Sequence, residues 1–495
     1  MGEFGGGERT PGERIVPEGD GQPTRHEPLP DGPEPGQDVD GGGGRRQHPA
    51  SSPCPAVGTT GRLASMPSYR APRGTRDLLP GERAAFSRLE AIAADLARRY
   101  GYAPLETPLF ELSEVFERGV GAVTDIVEKE LFRVMPSRGD EREGWALRPE
   151  ATAGIVRAYV QHGLQTLPQP VRVSLTGPMF RYDRPQAGRY RQFWQWDVEA
   201  IGDPGPAIDA EVVELGLRFY REAGLPEVTV RLNSIGDRAC RPAYIERLRA
   251  WFGEREADLP EPERARLATN PLRLLDSKDP ALAALIAAAP RIADHLCAAC
   301  AAHFAAVQEH LAALGVPVRL APTLVRGLDY YTRTTFEYEL AGQVGSQDAL
   351  GGGGRYDGLV ELLGGRPTPA IGFALGLDRV VLALASGAEP GPERPFGPTA
   401  VVVGADPGDT IARLRLATEL RAAGLAARAD LGSRKLGRQI EGAAREGAHF
   451  AVIVGDELAT GQVQVRDLQA GTQHLANVAD LARELTRAQA AHRHG

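Results

Sequence analysis

Apolar positions recur with different periods along this 495-residue chain, and the changes of period mark out its parts. Phe86, Leu89, Ile92, Ala93, Leu96 and Tyr100 fall at helical spacing, with Pro80 and Gly81 ahead of them and Gly101 behind. That pattern predicts an amphipathic helix with its own start and stop signals. Val171–Tyr182 and Gln192–Ile201 alternate as strands do, and Pro185 and Gly188 between them predict a long antiparallel hairpin. Residues 238–320 are richer in Ala, Leu and Arg at helical spacing and read as a helical insertion. Strand character returns over Thr332–Leu340, followed by a Gly-rich turn at Gly351–Gly354 and an apolar, helix-like run at Ala370–Ala385.

Glu389–Pro398 is dense in proline and glycine and predicts a linker, 391–398, between two domains. Beyond it, strands at Ala400–Val403, Leu425–Ala429, Phe450–Val454 and Gln462–Asp467 alternate with helices at Thr410–Ala423 and Leu436–Glu446. That rhythm predicts a small α/β domain with a mixed or parallel sheet over 399–495. Residues 66–390 form the larger domain, an α+β fold on an antiparallel sheet carrying the insertion. Residues 1–65 are packed with Gly, Pro and charged residues and cannot bury enough apolar surface to offset their ordering entropy. They are expected to be disordered, and Met66, where globular sequence begins, is an alternative start of translation.

Composition narrows the class without choosing a chemistry. A hydrophobic fraction of 42% and a charged fraction of 25% are those of a soluble globular protein. The charge, 57 − 65 = −8, gives no global basic field, although an acidic enzyme can still hold RNA on a local basic surface. Only four cysteines, Cys54, Cys240, Cys297 and Cys300, argue against a disulfide framework and suit a reducing cytoplasm. No apolar run approaches the ~20 residues needed to cross a bilayer, so no membrane partner is expected.

The hairpin carries the densest chemistry. Arg181, Arg184, Arg189 and Arg191 place four permanently charged planar donors within eleven residues. Guanidinium forks match phosphate oxygens bidentately, so the array suits a polyphosphate. A solvated surface hairpin would tolerate the same arginines. On the returning strand, alternation puts Phe193, Gln195, Asp197 and Glu199 on one face and Gln192, Trp194, Trp196 and Val198 on the other. The first set aligns an amide and two carboxylates beside the arginines, as a site for a cationic amino group next to phosphate requires.

Thr176–Gly202 resembles motif 2 of the class II aminoacyl-tRNA synthetases, and Gly372–Arg379 resembles their motif 3. Arg73–Pro80 with the following helix is similar to motif 1 in its histidyl form. Leu324–Thr332 and Gly353–Leu359 are similar to the two histidine-specific motifs of the histidyl-tRNA synthetases, and Arg148–Thr152 lies upstream in the expected order. The resemblance runs from about 70 to 480. Asp183, where many members carry Glu, and Ala151, where Gly is common, are small departures.

The resemblance implies an enzyme that activates histidine with ATP and Mg²⁺ and transfers it to tRNA(His), working as a homodimer. Arg181 and Arg379 would be the paired arginines on bent ATP, with Arg189 beside them and Arg326 on the α-phosphate. Stabilising charge at a reacting phosphorus is work for fixed cations. Histidine would be held by Glu150, Thr152, Gln195, Glu199, Arg326, Tyr330, Tyr331 and Tyr356. Glu150 and Gln195 suit the α-ammonium, and Glu199 with Tyr331 the two imidazole nitrogens. Glycines 351–354 would let substrate approach the backbone closely. The C-terminal domain resembles an anticodon-binding domain, with Arg434, Lys435 and Arg438 at a helix start facing tRNA.

Two rivals differ in chemistry. A histidine-binding regulatory relative would lack the last domain and parts of the motifs. A class II synthetase for threonine or proline would lack the segments at Arg326–Thr332 and Gly353–Leu359. His295, Cys297, Cys300 and His303 have ligand-like spacing. Read as one Ala-rich helix, however, His295 and Cys297 point to different faces, and no second Cys pair exists to complete a compact site. Core or interface packing is the expectation there, and no zinc.

Overall fold

The computed structural model describes residues 69–492 apart from 122–123, 125, 136–143, 278, 326–327, 341–348 and 388–396. The predicted extension and most of the predicted linker therefore lie outside the described residues.

The larger domain is built on one sheet of strands β1 (Ala103–Pro104), β2 (Val171–Phe180), β3 (Gln192–Ile201), β4 (Val228–Ser234), β5 (Val318–Leu320), β6 (Thr332–Leu340), β7 (Ala349–Arg355) and β8 (Ala370–Gly376). Their spatial order is β1-β2-β3-β8-β7-β6-β4-β5. The six central strands pair antiparallel, and only the edge pairs β1·β2 and β4·β5 are parallel. One face is covered by α1 (Pro80–Arg99), α3 (Pro206–Ala223) and α5 (Ala298–Ala313). Phe86, Leu89, Val213, Leu217, Val307 and Leu311 pack there on Trp196, Val198, Phe336 and Phe373 in a single apolar cluster. The helix α6 (Leu377–Gly387) joins the same cluster through Leu377, Val380 and Ala383, whereas α2 (Thr152–Gln161) packs Ile155, Val156 and Tyr159 against the other face.

The predicted hairpin strands and the strand Thr332–Leu340 match β2, β3 and β6 closely. Two expectations fail in the middle of the sheet. Gly351–Gly354 is no turn but most of β7, and Ala370–Ala385 is β8 followed by α6 rather than one helix. The reason is burial: a central strand covered on both sides loses its alternation and reads like a buried helix. Four glycines in β7 also remove the side chains from which a period could be read.

The insertion holds α4 (Arg241–Gly253), short helical turns and α5, with its own cluster of Tyr244, Leu248, Phe252, Leu259 and Leu272. After it, the last domain is a five-stranded sheet of β9 (Ala400–Gly404), β10 (Ala427–Ala429), β11 (Phe450–Val454), β12 (Gln462–Asp467) and β13 (Gln473–Asn477). The order is β10-β9-β11-β12-β13, parallel over the first three and antiparallel over the rest. Its helices are α7 (Thr410–Ala422), α8 (Leu436–Arg445) and α9 (Val478–His492). The mixed sheet agrees with expectation; β13 and α9 had not been foreseen. Among the described residues no single helix is long and apolar enough to cross a membrane.

Candidate active site

Small residues open a bed in the middle of the large sheet. Gln195, Asp197 and Glu199 on β3 stand opposite Gly376, Ala374 and Gly372 on β8. Beyond β8, Ala374 and Gly372 pair with Gly352 and Gly354 of β7. Successive side chains alternate between faces, so these belong to one face, while Ile371, Phe373 and Leu375 serve the core. Glycine at 372 is obligatory here: a Cβ would lie 1.7 Å from Glu199 Oε2. At Gly354 the room is taken by the Tyr331 ring, 2.9 Å from where a Cβ would sit. The glycines thus make space first for the site's own side chains.

Onto this bed converge most of the residues expected to hold an amino acid. Glu199 is fully buried and accepts hydrogen bonds from Thr152 Oγ1 at 2.6 Å and from the Tyr356 hydroxyl. Tyr330 lies 4.7 Å from Tyr331 and 5.7 Å from Tyr356, ring centre to ring centre. Expectation gave Glu199 and Tyr331 one imidazole nitrogen each; within the fold, Tyr356 is the tyrosine whose hydroxyl reaches the Glu199 carboxylate. Tyr331 instead lies in the insertion's apolar cluster, with its backbone carbonyl held by Arg241 at 2.7 Å.

The electrostatics are unusual for a protein interior. Glu150 Oε1 accepts from the Ala153 backbone at 3.0 Å, whereas Glu150 Oε2, Gln195 Oε1 and both Asp197 oxygens are buried without hydrogen-bond partners among the described residues. Burial pushes Glu199 up to about 8 and raises Glu150. Asp197 is held well above the usual carboxylate range, first by burial and then by repulsion from Glu199 and Glu150. Buried acceptors left unsatisfied each cost about 1–3 kcal/mol. Four such atoms together mark a place that awaits donors, and donors with positive charge fit best. Asp197 was not among the expected binding residues, although strand alternation had placed it on this face.

Arginines frame the bed. Arg181 follows β2, donates from Nε to the Pro149 carbonyl at 2.8 Å and lies over the Phe193 ring. Arg379, in the first turn of α6, donates to the Ala349 carbonyl, and its stem lies beside Gly188 at the hairpin tip. Buried Asp378 fixes that turn by accepting from Arg76 at 2.8 Å and from the Trp194 backbone at 2.7 Å. Arg76 in turn stacks 3.6 Å from the Tyr190 ring, tying the start of α1 to the hairpin. Arg189 stays exposed and pairs with Asp183 at 3.1 Å. Arg326 lies outside the described residues. Buried Arg148 bonds Pro178, Glu106 and Thr107, and its charge opposes the rise of Asp197.

Arg434, Lys435 and Arg438 lie exposed at the start of α8, far along the chain. Arg434 pairs with Asp430 and Arg438 with Glu441, each at 2.8 Å. Arg445, seven residues beyond Arg438, joins them around a shallow depression and was missed, though helical spacing puts it on the same face. The cysteine expectation changes as well. Cys297 and His295 precede α5 instead of sharing it, and His303 pairs with Asp209 at 2.9 Å. Asp237, just ahead of the insertion, and Cys240, at its start, meet Cys297 and Cys300 in one compact cluster.

An antiparallel sheet with a hairpin of arginines, a buried acceptor bed and an arginine at the head of a following helix is the catalytic domain of a class II aminoacyl-tRNA synthetase. The profile described as "Histidyl-tRNA synthetase" matches residues 74–380, and that described as "Anticodon binding domain" matches 400–488. The chain is 49% identical to the histidine–tRNA ligase of Moorella thermoacetica and 47% to that of Desulforudis audaxviator, each over 84% of this chain and 98% of the relative. The crystal structure of apo S. aureus histidyl-tRNA synthetase, 34% identical, superposes with a TM-score of 0.70 over 84% of this chain and 100% of that one. The chain belongs to the histidyl-tRNA synthetase family.

Proposed function

We propose that the acceptor bed on β3 is the histidine pocket and that the arginines framing it hold ATP, so that each step of histidine–tRNA ligation has named residues. The ligase reaction runs in two steps. The histidine carboxylate attacks the α-phosphorus of ATP, giving histidyl-adenylate and pyrophosphate. A hydroxyl of the 3′-terminal adenosine of tRNA(His) then attacks the activated carbonyl and releases AMP.

In the pocket, Glu150 Oε2, Gln195 Oε1 and Asp197 accept from the three N–H groups of the α-ammonium. Glu199 takes one imidazole nitrogen while Thr152 and the Tyr356 hydroxyl hold its carboxylate, and Tyr330 and Tyr331 wall the ring. An amino acid lacking the imidazole leaves Glu199 buried without its partner, which supports discrimination of ~10⁴ without editing. Arg181 and Arg326 act on the α-phosphate and Arg379 on the γ-phosphate side, with Arg189 at the outer edge. These cations stabilise charge as the phosphorus becomes five-coordinate, and holding both substrates in line supplies the rest. Mg²⁺ accompanies ATP as its counter-ion. Arg434, Lys435 and Arg438 meet tRNA phosphates from the last domain.

The observation that carries the reading is the set of four buried, unsatisfied acceptor atoms on Glu150, Gln195 and Asp197. The working division of the chain is 66–390 for catalysis and 399–495 for tRNA, after the extension 1–65 and around the linker 391–398. A homodimer in the cytoplasm fits the class and the unpaired cysteines. Histidine-dependent ATP–pyrophosphate exchange, followed by charging of tRNA with labelled histidine, tests the reading. Exchange and charging, both abolished in R379A, are the expected result. Histidine binding without exchange would instead make the chain a regulatory relative.

A further inference from the structure

Outside the active site, the densest group of metal-ligating side chains among the described residues lies where the chain leaves β4 for the insertion and where it enters α5. Asp237 follows β4 and Cys240 precedes α4, while Cys297 precedes α5 and Cys300 sits in its first turn. The two pairs are Asp-x₂-Cys and Cys-x₂-Cys, each at a helix start, and residues 241–296 separate them. The Asp237 carboxylate and the sulfurs of Cys240, Cys297 and Cys300 all lie within 4.8 Å of one another.

We propose that Asp237, Cys240, Cys297 and Cys300 form a structural Zn²⁺ site that locks the start of the insertion to its last helix, α5. Four protein ligands close the site, as structural zinc requires, and three soft sulfurs with one carboxylate oxygen suit Zn²⁺ over Mg²⁺ or Ca²⁺. A Zn–S bond of ~2.3 Å puts neighbouring sulfurs of a tetrahedron about 3.8 Å apart. The present spacing needs to contract by only ~1 Å to reach that geometry. Cys240 and Cys300 are buried while Asp237 and Cys297 are half-buried, which leaves a path for the ion. All three thiols of the cluster are free of disulfides among the described residues.

The surroundings are arranged for an anionic metal complex. The Asp237 backbone N–H points at Cys240 Sγ at 3.5 Å, and the Cys300 backbone N–H points at Cys297 in the same way. Helix starts also favour thiolates. Three thiolates and a carboxylate on a divalent cation leave a net charge of −2, and two arginines face it. Arg333 donates to Asp237 Oδ2 at 3.2 Å from a left-handed backbone with φ 49°, a conformation a non-glycine residue keeps only when its surroundings impose it. Arg241 lies within electrostatic reach of Asp237, Cys240 and Cys300 and also holds the Ile235, Gly236 and Tyr331 carbonyls. Binding displaces three thiol protons to solvent. It also fixes the backbone leading into Tyr330 and Tyr331, a consequence that rests on the histidine-pocket reading, whereas the zinc site itself does not.

Metal analysis of the full-length chain, purified under reducing conditions in zinc-replete buffer and then desalted, tests the site. About one zinc per chain is expected, kept in C54S and lost in C297S and C300S. Because a cysteine variant can fail to fold, wild-type protein stripped of metal and titrated with Co²⁺ gives a second readout. Thiolate-to-cobalt charge-transfer and tetrahedral d–d bands should appear and saturate at one equivalent. Zinc removal should lower the melting temperature and raise the KM for histidine several-fold. If zinc is present but that KM does not move, the link to the pocket fails and the metal site stands. No zinc in wild type with no cobalt bands, or zinc undiminished in the double variant C297S/C300S, overturns the proposal.

Discussion

The carboxylate bed of β3 and the basic start of α8 both present charge to a ligand, but under opposite solvation. Glu150, Asp197 and Glu199 are buried together, repel one another and leave acceptor atoms unsatisfied. Arg434, Arg438 and Arg445 are exposed and already share Asp430 and Glu441. A buried unpaired acceptor costs the fold free energy until a ligand arrives, and that cost becomes selectivity. Exposed ion pairs contribute about 0–1 kcal/mol and are screened by salt, so they give reach and rate without fine discrimination. On the proposed reading, the chain selects its small substrate where water is excluded and meets its large one where water remains.

Four substitutions would break or sharpen that contrast. R379A should lower exchange by ~10³-fold or more, because a fixed cation aimed at developing phosphate charge acts mainly in the transition state. A fall in kcat with the melting temperature unchanged is the sign to look for. E199Q should cost ~10²–10⁴-fold in kcat/KM for histidine while leaving the KM for ATP within a few-fold. An equal loss for both substrates would mean that Glu199 holds up the sheet and does not read the ring.

The same variant sharpens the contrast through pH. Glu199 stands at about 8 in the fold against an ordinary 4.5, so the folded chain binds this proton more tightly than the unfolded one. The stability it contributes is present below about 4.5 and lost as pH rises through about 8. Denaturation of wild type and E199Q should therefore diverge across that window, wild type losing up to roughly 1.4 kcal/mol per pH unit relative to the variant. Parallel curves would contradict the buried carboxylate. The smallest effect is expected at α8. R434A/R438A should raise the KM for tRNA only ~3–10-fold, flatten its salt dependence by about one unit of slope per lost phosphate contact, and leave exchange untouched.

Much of this was written locally. The helix of Phe86 to Tyr100, the hairpin strands and the rhythm after residue 399 were legible because each has one wet and one dry side, and period reports that difference. The centre of the sheet was not: β7 and β8 are covered on both sides, and their glycines record contacts with Glu199, Tyr331 and neighbouring strands that no local pattern encodes. Chemistry divided along the same line. Arginine spacing and the alternation Gln195, Asp197, Glu199 determined which residues share a face.

Only the tertiary structure decided that this face is dry, that Tyr356 reaches Glu199, and that Asp197 has no hydrogen-bond partner among the described residues. It also brought Asp237 and Cys240 to Cys297 and Cys300 across residues 241–296, a meeting that one Cys-x₂-Cys pair could not announce. The physical reason is common to all of these. Periodicity and charge are properties of neighbours along the chain, whereas desolvation, hydrogen-bond partnership and ligand geometry belong to atoms that folding alone makes neighbours.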